Sequence, residues 1–419
     1  MEKIQSLKGF RDFYPDVCAV RNYVFEKWRD VARRYGLVEY EIPVLEPTEL
    51  YRRKSGDEIV KQLFHFKDGG DREVALRPET TPSLARMAAA RQRDYRKPIK
   101  WFQIGSCFRY EQPQKGRGRE FYQFNADILG EKNNAADADL IALAVDVMLA
   151  FGFRAGDFRV RLSDRNVWPE FLRRENVGEE HTSAFLQIID KLEREKEDIT
   201  AGKLAAMGIT LTAVRAFIDS KAAGYAPLET VIADLAARGL AEYVEVDLNI
   251  VRGLAYYTGT VFEVFDLGKG MRAVAGGGRY DNLCQLIGGV DLAAVGFAMG
   301  DMVISDLIRE TSHANAQMQE WLAGAASLDL YVVTASETRR PDALTLVQAL
   351  RAAGHSVDFS YNPDKVGKQF QAAENLRARL AIVIGDEFPV IKIKDLAART
   401  EQTVDVSTLV ETIRSLLSA

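Results

Sequence analysis

FRYEQPQKGRGREFYQ, residues Phe108–Gln123, sets the architecture of the chain around it. Before it, Ile99–Phe108 (IKWFQIGSCF) is apolar and rich in aromatic and β-branched residues, which predicts a strand. Gln112–Arg119 (QPQKGRGR) supplies the Pro and Gly of a turn, and Glu120–Gly130 (EFYQFNADILG) predicts a second strand returning beside the first. From Arg86 to Arg119 ten Lys or Arg face two acids, Asp94 and Glu111, a local balance of +8. Arginines on both shoulders of a hairpin converge on one spot. A guanidinium keeps its proton near neutral pH, so such a cluster binds anions and does not move protons.

That local field is hidden in the average. The 419 residues carry 55 Lys or Arg and 60 Asp or Glu, a net charge of −5, which on its own disfavours a nucleic-acid partner. A 47% hydrophobic and 27% charged composition supports large cores and excludes a mostly disordered chain. The length predicts two or three domains. No apolar run approaches the roughly 18 residues of a membrane span, and the N-terminal MEKIQSLKGFRDFYPD has no apolar signal-peptide core. Three distant cysteines (Cys18, Cys107, Cys284) and four scattered histidines point away from disulfides and metal centres and towards a reducing cytoplasm.

Outward from the hairpin, Val17–Gly36 predicts an amphipathic helix ended by Gly36. Leu37–Leu50 (LVEYEIPVLEPTEL) reads as a strand interrupted by prolines, and Phe64–Pro78 (FHFKDGGDREVALRP) as a hairpin turning at its two glycines. Thr81–Gln92 and Ala136–Phe153 are helical, and Asp157–Asp164 is a strand. From about Asn166 to Gly239 the pattern is helical and charged, an insertion after which strands resume at Tyr243–Ile250, Thr260–Asp266 and Met271–Gly278. The polar stretch Thr311–Ser327 reads as a boundary. Beyond it, strand candidates (LDLYVVT, HSVDFSY, LAIVIGD, VIKIKDL) alternate with helices, which implies a mostly parallel α/β sheet over 328–419.

The chain has no GxxxxGK[ST], GxSxG, HExxH or CxxC. The GGGR of Gly276–Arg279 suits either a tight turn or a phosphate contact. Arginines and carboxylates instead gather at predicted strand ends, in LRPETT (Leu76–Thr81), in the hairpin, and in VRGLAYYTG (Val251–Gly259). Nucleotidyl transfer needs such arginines, because catalysis there is positioning and neutralisation of phosphate oxygens. Carboxylates among them suit an ammonium or an imidazole.

Four segments together resemble the histidyl-tRNA synthetase family of class II aminoacyl-tRNA synthetases: LRPETT, FRYEQPQKGRGREFYQ, VRGLAYYTGTVFE (Val251–Glu263) and AGGGRYDNL (Ala275–Leu283). Glu41–Glu58 resembles motif 1, which builds the class II dimer. The resemblance implies an α+β class II synthetase core, an antiparallel sheet flanked by helices over residues 1–325, with a helical insertion at about 166–239. A C-terminal α/β anticodon-binding domain over 328–419 would follow. It implies ligation of L-histidine to tRNA(His) through histidyl-adenylate, with ATP as substrate, Mg²⁺ on its phosphates, and a cytoplasmic homodimer.

By matching motif positions, the resemblance implies that Glu79 and Thr81, with Gln123, hold the α-amino group. Asp127 and Tyr257 would meet the two imidazole nitrogens, and Tyr256 would close the pocket. Arg109 and Arg252 would stand at the α-phosphate and reacting carboxylate, and Glu111, Arg117 and Arg119 at ATP and the tRNA end. One departure stands out. Ala294–Leu307 (AVGFAMGDMVISDL) matches motif 3, which usually ends in an arginine that covers the adenine, but Asp301, Met302 and Val303 follow Gly300. Arg117, Arg119 and Arg279 are the candidate replacements. The same departure suits an alternative, a histidine-sensing regulatory subunit of ATP phosphoribosyltransferase. Against it stand the intact arginines of the hairpin, Arg252, and the C-terminal domain, which such subunits usually lack.

Overall fold

The structure, a computed structural model, describes residues 4–55, 57–192, 195–250, 256–268, 270 and 273–418. It divides into two compact units, Met1–Met318 and Gln319–Ala419.

The first unit begins with helix α1 (Pro15–Arg34), with Pro15 at its start, where a missing N–H costs nothing. The proline-bearing segment gives two short strands, β1 (Val38–Glu39) and β2 (Leu45–Pro47), and its end turns into helix α2 (Thr48–Ser55) rather than continuing as strand. Strands β3 (His65–Lys67) and β4 (Glu73–Leu76) form the expected hairpin and, with β2, a three-stranded sheet in the order β2-β4-β3. The left-handed residue of its turn is Asp71 (φ 59°), not either glycine; the Asp68 carboxylate accepts from the backbone N–H of Gly70 and Arg72. Helix α3 (Thr81–Arg91) follows immediately.

The basic hairpin is the pair β5 (Ile99–Phe108) and β6 (Glu120–Leu129), in register across all ten positions from Ile99–Leu129 to Phe108–Glu120. After α4 (Ala135–Ala150), strands β7 (Phe158–Asp164), β8 (Val244–Val246), β9 (Thr260–Asp266), β10 (Ala275–Arg279) and β11 (Ala294–Gly300) complete the sheet. Its order is β1-β5-β6-β11-β10-β9-β7-β8, antiparallel except for the two edge pairs. Gly276–Gly278, left open as a turn, lies inside β10 and is paired on both sides. Between β7 and β8 the described residues form five α-helices, α5 (Val167–Arg174), α6 (Thr182–Ile189), α7 (Glu197–Ala205), α8 (Leu211–Asp219) and α9 (Ala226–Ala237).

Side-chain alternation assigns the two faces of the sheet. On β6, Phe124 turns towards α1, where Trp28 is stacked between Phe25 at 5.7 Å and Phe124 at 5.6 Å and donates to the Met299 sulfur. Helix α4 is apolar nearly all round and buried accordingly. Its one deeply buried acid, Asp137, meets Arg279 of β10 in an ion pair shielded from water. The opposite face carries the alternate residues Phe121, Gln123, Asn125 and Asp127 and lines a cavity.

Helix α10 (Leu283–Gly288) and helix α11 (Asp301–Glu310) close this unit; helix α12 (Ser312–Ala325) then runs through the stretch expected to be a polar boundary, burying Ala314 and Met318. In the second unit, β12 (Leu330–Thr334), β13 (Val357–Phe359), β14 (Leu380–Ile384), β15 (Val390–Asp395) and β16 (Thr400–Asp405) form a sheet in the order β13-β12-β14-β15-β16. Only β13-β12-β14 are parallel; the last two pairings are antiparallel, so the sheet is mixed rather than mostly parallel. Helices α13 (Arg340–Ala352), α14 (Val366–Asn375) and α15 (Leu409–Ser418) accompany it. Among the described residues no helix is long and apolar enough to cross a membrane.

Candidate active site

A cavity of about 910 Å³ opens on the free face of the large sheet. Nine of the sequence-selected site residues line it: Glu79, Thr81, Arg109, Glu111, Arg117, Gln123, Asp127, Tyr256 and Tyr257. Arg119 stands off the wall, and Arg252 lies outside the described residues.

At one end, Pro78 and Glu79 leave β4 just before α3. Arg109 donates from Nε to the Pro78 carbonyl at 3.0 Å, which holds the hairpin shoulder against this loop, and its guanidinium lies 5.3 Å from the Phe121 ring centre. The Glu79 carboxylate is paired with Lys54 of α2. Gln123, one strand across, accepts the Cys107 thiol at 3.5 Å. Burial pushes that thiol up to about 12, so the sulfur keeps its proton and stays a donor.

At the other end, Asp127 is 4% exposed and accepts the Tyr280 hydroxyl at Oδ1. Burial raises its carboxyl from 3.8 to about 7, against the lowering effect of the Tyr280 hydrogen bond. Tyr257 packs against Tyr256 with ring centres 4.6 Å apart and planes tilted by 37°, and Tyr256 meets Tyr280 edge-on at 6.0 Å. Two glycines make room here. A Cβ on Gly296 would come 1.8 Å from Asp127 Oδ1, and one on Gly278 2.9 Å from the Tyr257 ring.

The three candidates for the missing motif 3 arginine separate cleanly. Arg279 is committed to Asp137, Asp281 and the carbonyls of Glu131 and Asn133, on the buried side of its strand. Arg119 donates to the Glu111 carbonyl and lies 4.5 Å from the Tyr110 ring centre. Only Arg117 of the three lines the cavity, paired with Glu111 at 2.7 Å. Asp301, where the motif departs, accepts from Arg11 at 2.8 Å and from the Tyr122 backbone N–H at 2.9 Å, so it ties the start of α11 to β6. Arg77 of LRPETT, grouped by sequence with the anion binders, is a buried strut to the Ser106 and Ile42 carbonyls and the Glu41 carboxylate.

Sequence reasoning missed Lys54 and Tyr280, and also Arg161 of β7, which lines the cavity between Glu245 and Asp247. Tyr280 lay within AGGGRYDNL and Lys54 at the end of the basic run YRRK; nothing local in Arg161's strand distinguishes it from a surface arginine.

The wall thus offers carboxylates for cations at both ends, and arginines for anions along it. Comparison with known proteins agrees. The family model for histidyl-tRNA synthetase matches residues 9–302, and that for an anticodon binding domain matches 329–416. The chain is 42% identical to the histidine–tRNA ligase of Opitutus terrae over the whole of both chains. It is 37% identical to that of Haloarcula marismortui, covering 91% of this chain and 90% of the other. Among solved structures, histidyl-tRNA synthetase from Nostoc sp. PCC 7120 superimposes with a TM-score of 0.81 at 26% identity, covering 99% of this chain and all of that one. The apo enzyme of S. aureus gives 0.70 at 25% identity, over 98% and 100%. On the matched catalytic model and the full-length curated relatives, this chain belongs to the histidyl-tRNA synthetase family.

Proposed function

We propose that the chain joins L-histidine to tRNA(His) in two steps driven by ATP. A carboxylate oxygen of histidine attacks the α-phosphorus of ATP, forming the mixed anhydride and releasing pyrophosphate. A hydroxyl of the terminal tRNA ribose then attacks the histidyl carbonyl, forming the ester and releasing AMP. The observation that carries this reading is one cavity with Glu79 at one end, Asp127 at the other and Arg109 on its wall. That layout suits an amino acid with a cationic amine and a ring that donates hydrogen bonds.

In this reading Glu79, Thr81 and Gln123 hold the α-amino group, Asp127 and Tyr257 take the two imidazole nitrogens, and Tyr256 covers the ring. Two fixed partners for two ring nitrogens penalise an isostere that leaves either unpaired. Arg109 and Arg252 stand as fixed cations for the charge that develops at the α-phosphate and carboxylate. Arg117 supplies the cation for ATP that motif 3 does not carry in this chain, with Glu111 orienting it, and Arg119 acts from behind through the Glu111 carbonyl. Mg²⁺ fits as an ion carried in by the ATP phosphates: among the described residues no cage of three His, Cys, Asp or Glu gathers, and Glu111 is a carboxylate on the wall beside the arginines. It would neutralise phosphate charge.

The remaining parts follow the same reading. Residues 1–325 are the catalytic domain with its insertion at about 166–239, and 328–419 bind the anticodon. The chain works in the cytoplasm as a homodimer, and the dimer is supported by the exposed apolar Val44 and Leu45 of the motif 1 segment and Val38 just before it. The anticodon-domain match and the full-length ligase relatives favour charging over histidine sensing alone. The test is histidine-dependent ATP–pyrophosphate exchange followed by charging of tRNA, with Arg252→Ala alongside. Exchange and charging in the wild type, both abolished in a folded Arg252→Ala, are the expected result. Exchange without charging refutes the ligase, absence of both favours the sensor, and near wild-type exchange in the variant removes Arg252 from its role.

A further inference from the structure

Lys54 lies in the stretch that resembles motif 1, assigned above to the dimer and not to the pocket, yet it reaches two of the pocket's walls. Its ammonium contacts Oε2 of Glu79 and stands 4.1 Å from the ring centre of Tyr256. The side chain is 1% exposed, against 16% for Glu79. Glu79 and Tyr256 line the cavity and Lys54 does not. The lysine therefore meets the carboxylate from within the wall and leaves the space in front of it to a substrate.

This placement decides the sign of its effect. A lysine in the substrate's space would compete with an incoming ammonium. A lysine behind the carboxylate leaves that space open and holds the carboxylate in place. Stripped of its partner, the carboxylate is free to turn towards water, and there it grips a substrate ammonium poorly. The Tyr256 ring gives the cation a second favourable contact, which fixes where the lysine sits.

We propose that Lys54 is a positioning residue for amino-acid recognition: it occupies Oε2 of Glu79 and so presents Oε1 to the α-ammonium of the substrate. The inference rests on the reading of Glu79 given above.

The experiment measures exchange kinetics in the full chain for Lys54→Met, Lys54→Arg and Glu79→Gln. It adds inhibition by 3-(imidazol-4-yl)propanoate, which is histidine without its amine. Lys54→Met is expected to raise the KM for histidine at least about tenfold while kcat, the KM for ATP and the Ki of the deaminated analogue stay within about threefold. Lys54→Arg, which keeps the charge, is expected to recover most of the loss. A merely structural lysine gives a different pattern, with histidine and the analogue weakened alike, and that outcome overturns the proposal. So does an unchanged KM in Lys54→Met. Glu79→Gln separates the two readings. If it leaves the histidine KM unchanged, the role of Glu79 falls and that of Lys54 with it. If it raises the KM and Lys54→Met does not, only the lysine's role falls. Should Lys54→Met fail to fold, Lys54→Gln replaces it with the same expected split.

Discussion

Histidine recognition should titrate with Asp127. Burial raises this carboxyl from 3.8 to about 7, roughly three pH units or about 4 kcal/mol held against ionisation in the empty pocket. The folded value lies above the unfolded one, so the protonated carboxyl stabilises the fold fully below pH 3.8. That contribution is lost as pH rises to about 7, beyond which the empty protein holds a buried charge. In the proposed reading an imidazole N–H arriving at the carboxylate offsets this cost, so binding should select the ionised form. With a midpoint of about 7, the ionised fraction grows roughly thirtyfold between pH 5.5 and 8.5. Free histidine titrates in the same range, so the quantity to measure is the ratio of kcat/KM for histidine in the wild type to that in Asp127→Asn, in which the substrate's own titration cancels. The ratio should rise about thirtyfold across that interval and level off above pH 8. Tyr280→Phe removes the hydrogen bond that favours the charged form, so its midpoint should move up by about one unit. A ratio that is flat with pH, or a Tyr280→Phe midpoint that moves down, refutes the argument.

Gly296→Ala puts a methyl carbon into the place of Asp127 Oδ1 and displaces the carboxylate by an ångström or more; roughly a hundredfold fall in kcat/KM for histidine should follow, with ATP binding little changed. Exchange kinetics at varied histidine and ATP check this split. Arg279→Met leaves Asp137 charged and unpaired where α4 packs on the sheet, at a cost of about 3–5 kcal/mol. Thermal unfolding should show a clear fall in Tm, whereas Arg119→Met, which removes only a part-exposed guanidinium over Tyr110, should change it little. Arg117→Ala should raise the KM for ATP more than that for histidine; steady-state exchange that shows the reverse would remove Arg117 as the substitute for the motif 3 arginine.

Where a local pattern and its burial agree, the sequence is readable. The hairpin of β5 and β6 announces itself because its strands are long, aromatic and separated by Pro and Gly. The glycine triplet of β10 looks like a turn because the usual strand signal is a side chain, and here the space needed by Tyr257 and the neighbouring strands removes it. Strand β16 (TEQTVD) is exposed at five of six positions, so it has no alternation to detect. Helix α12 is polar and reads as a linker, but Ala314 and Met318 give it a buried side. The site shows the same divide. Arg77 and Arg109 are alike in sequence, and only burial tells a strut from a cavity-facing cation. Tyr280 and Asp127 are 153 residues apart and Lys54 and Glu79 25 apart, so neither pairing has a local signature.

The bare strand β10, with Gly296 beside it, makes part of the pocket floor out of main chain. A floor of side chains can be lowered by trimming a residue; a floor of backbone has nothing left to trim. Enlarging this pocket for a bulkier ring therefore falls to its side-chain walls, among them Tyr256, Tyr257 and Asp127, the groups proposed to read the imidazole. Size and chemical identity are thus coupled: a variant that gains room also gives up a hydrogen bond or a covering ring, and a relaxed pocket of this kind is a poor one for every amino acid rather than a good one for a new one.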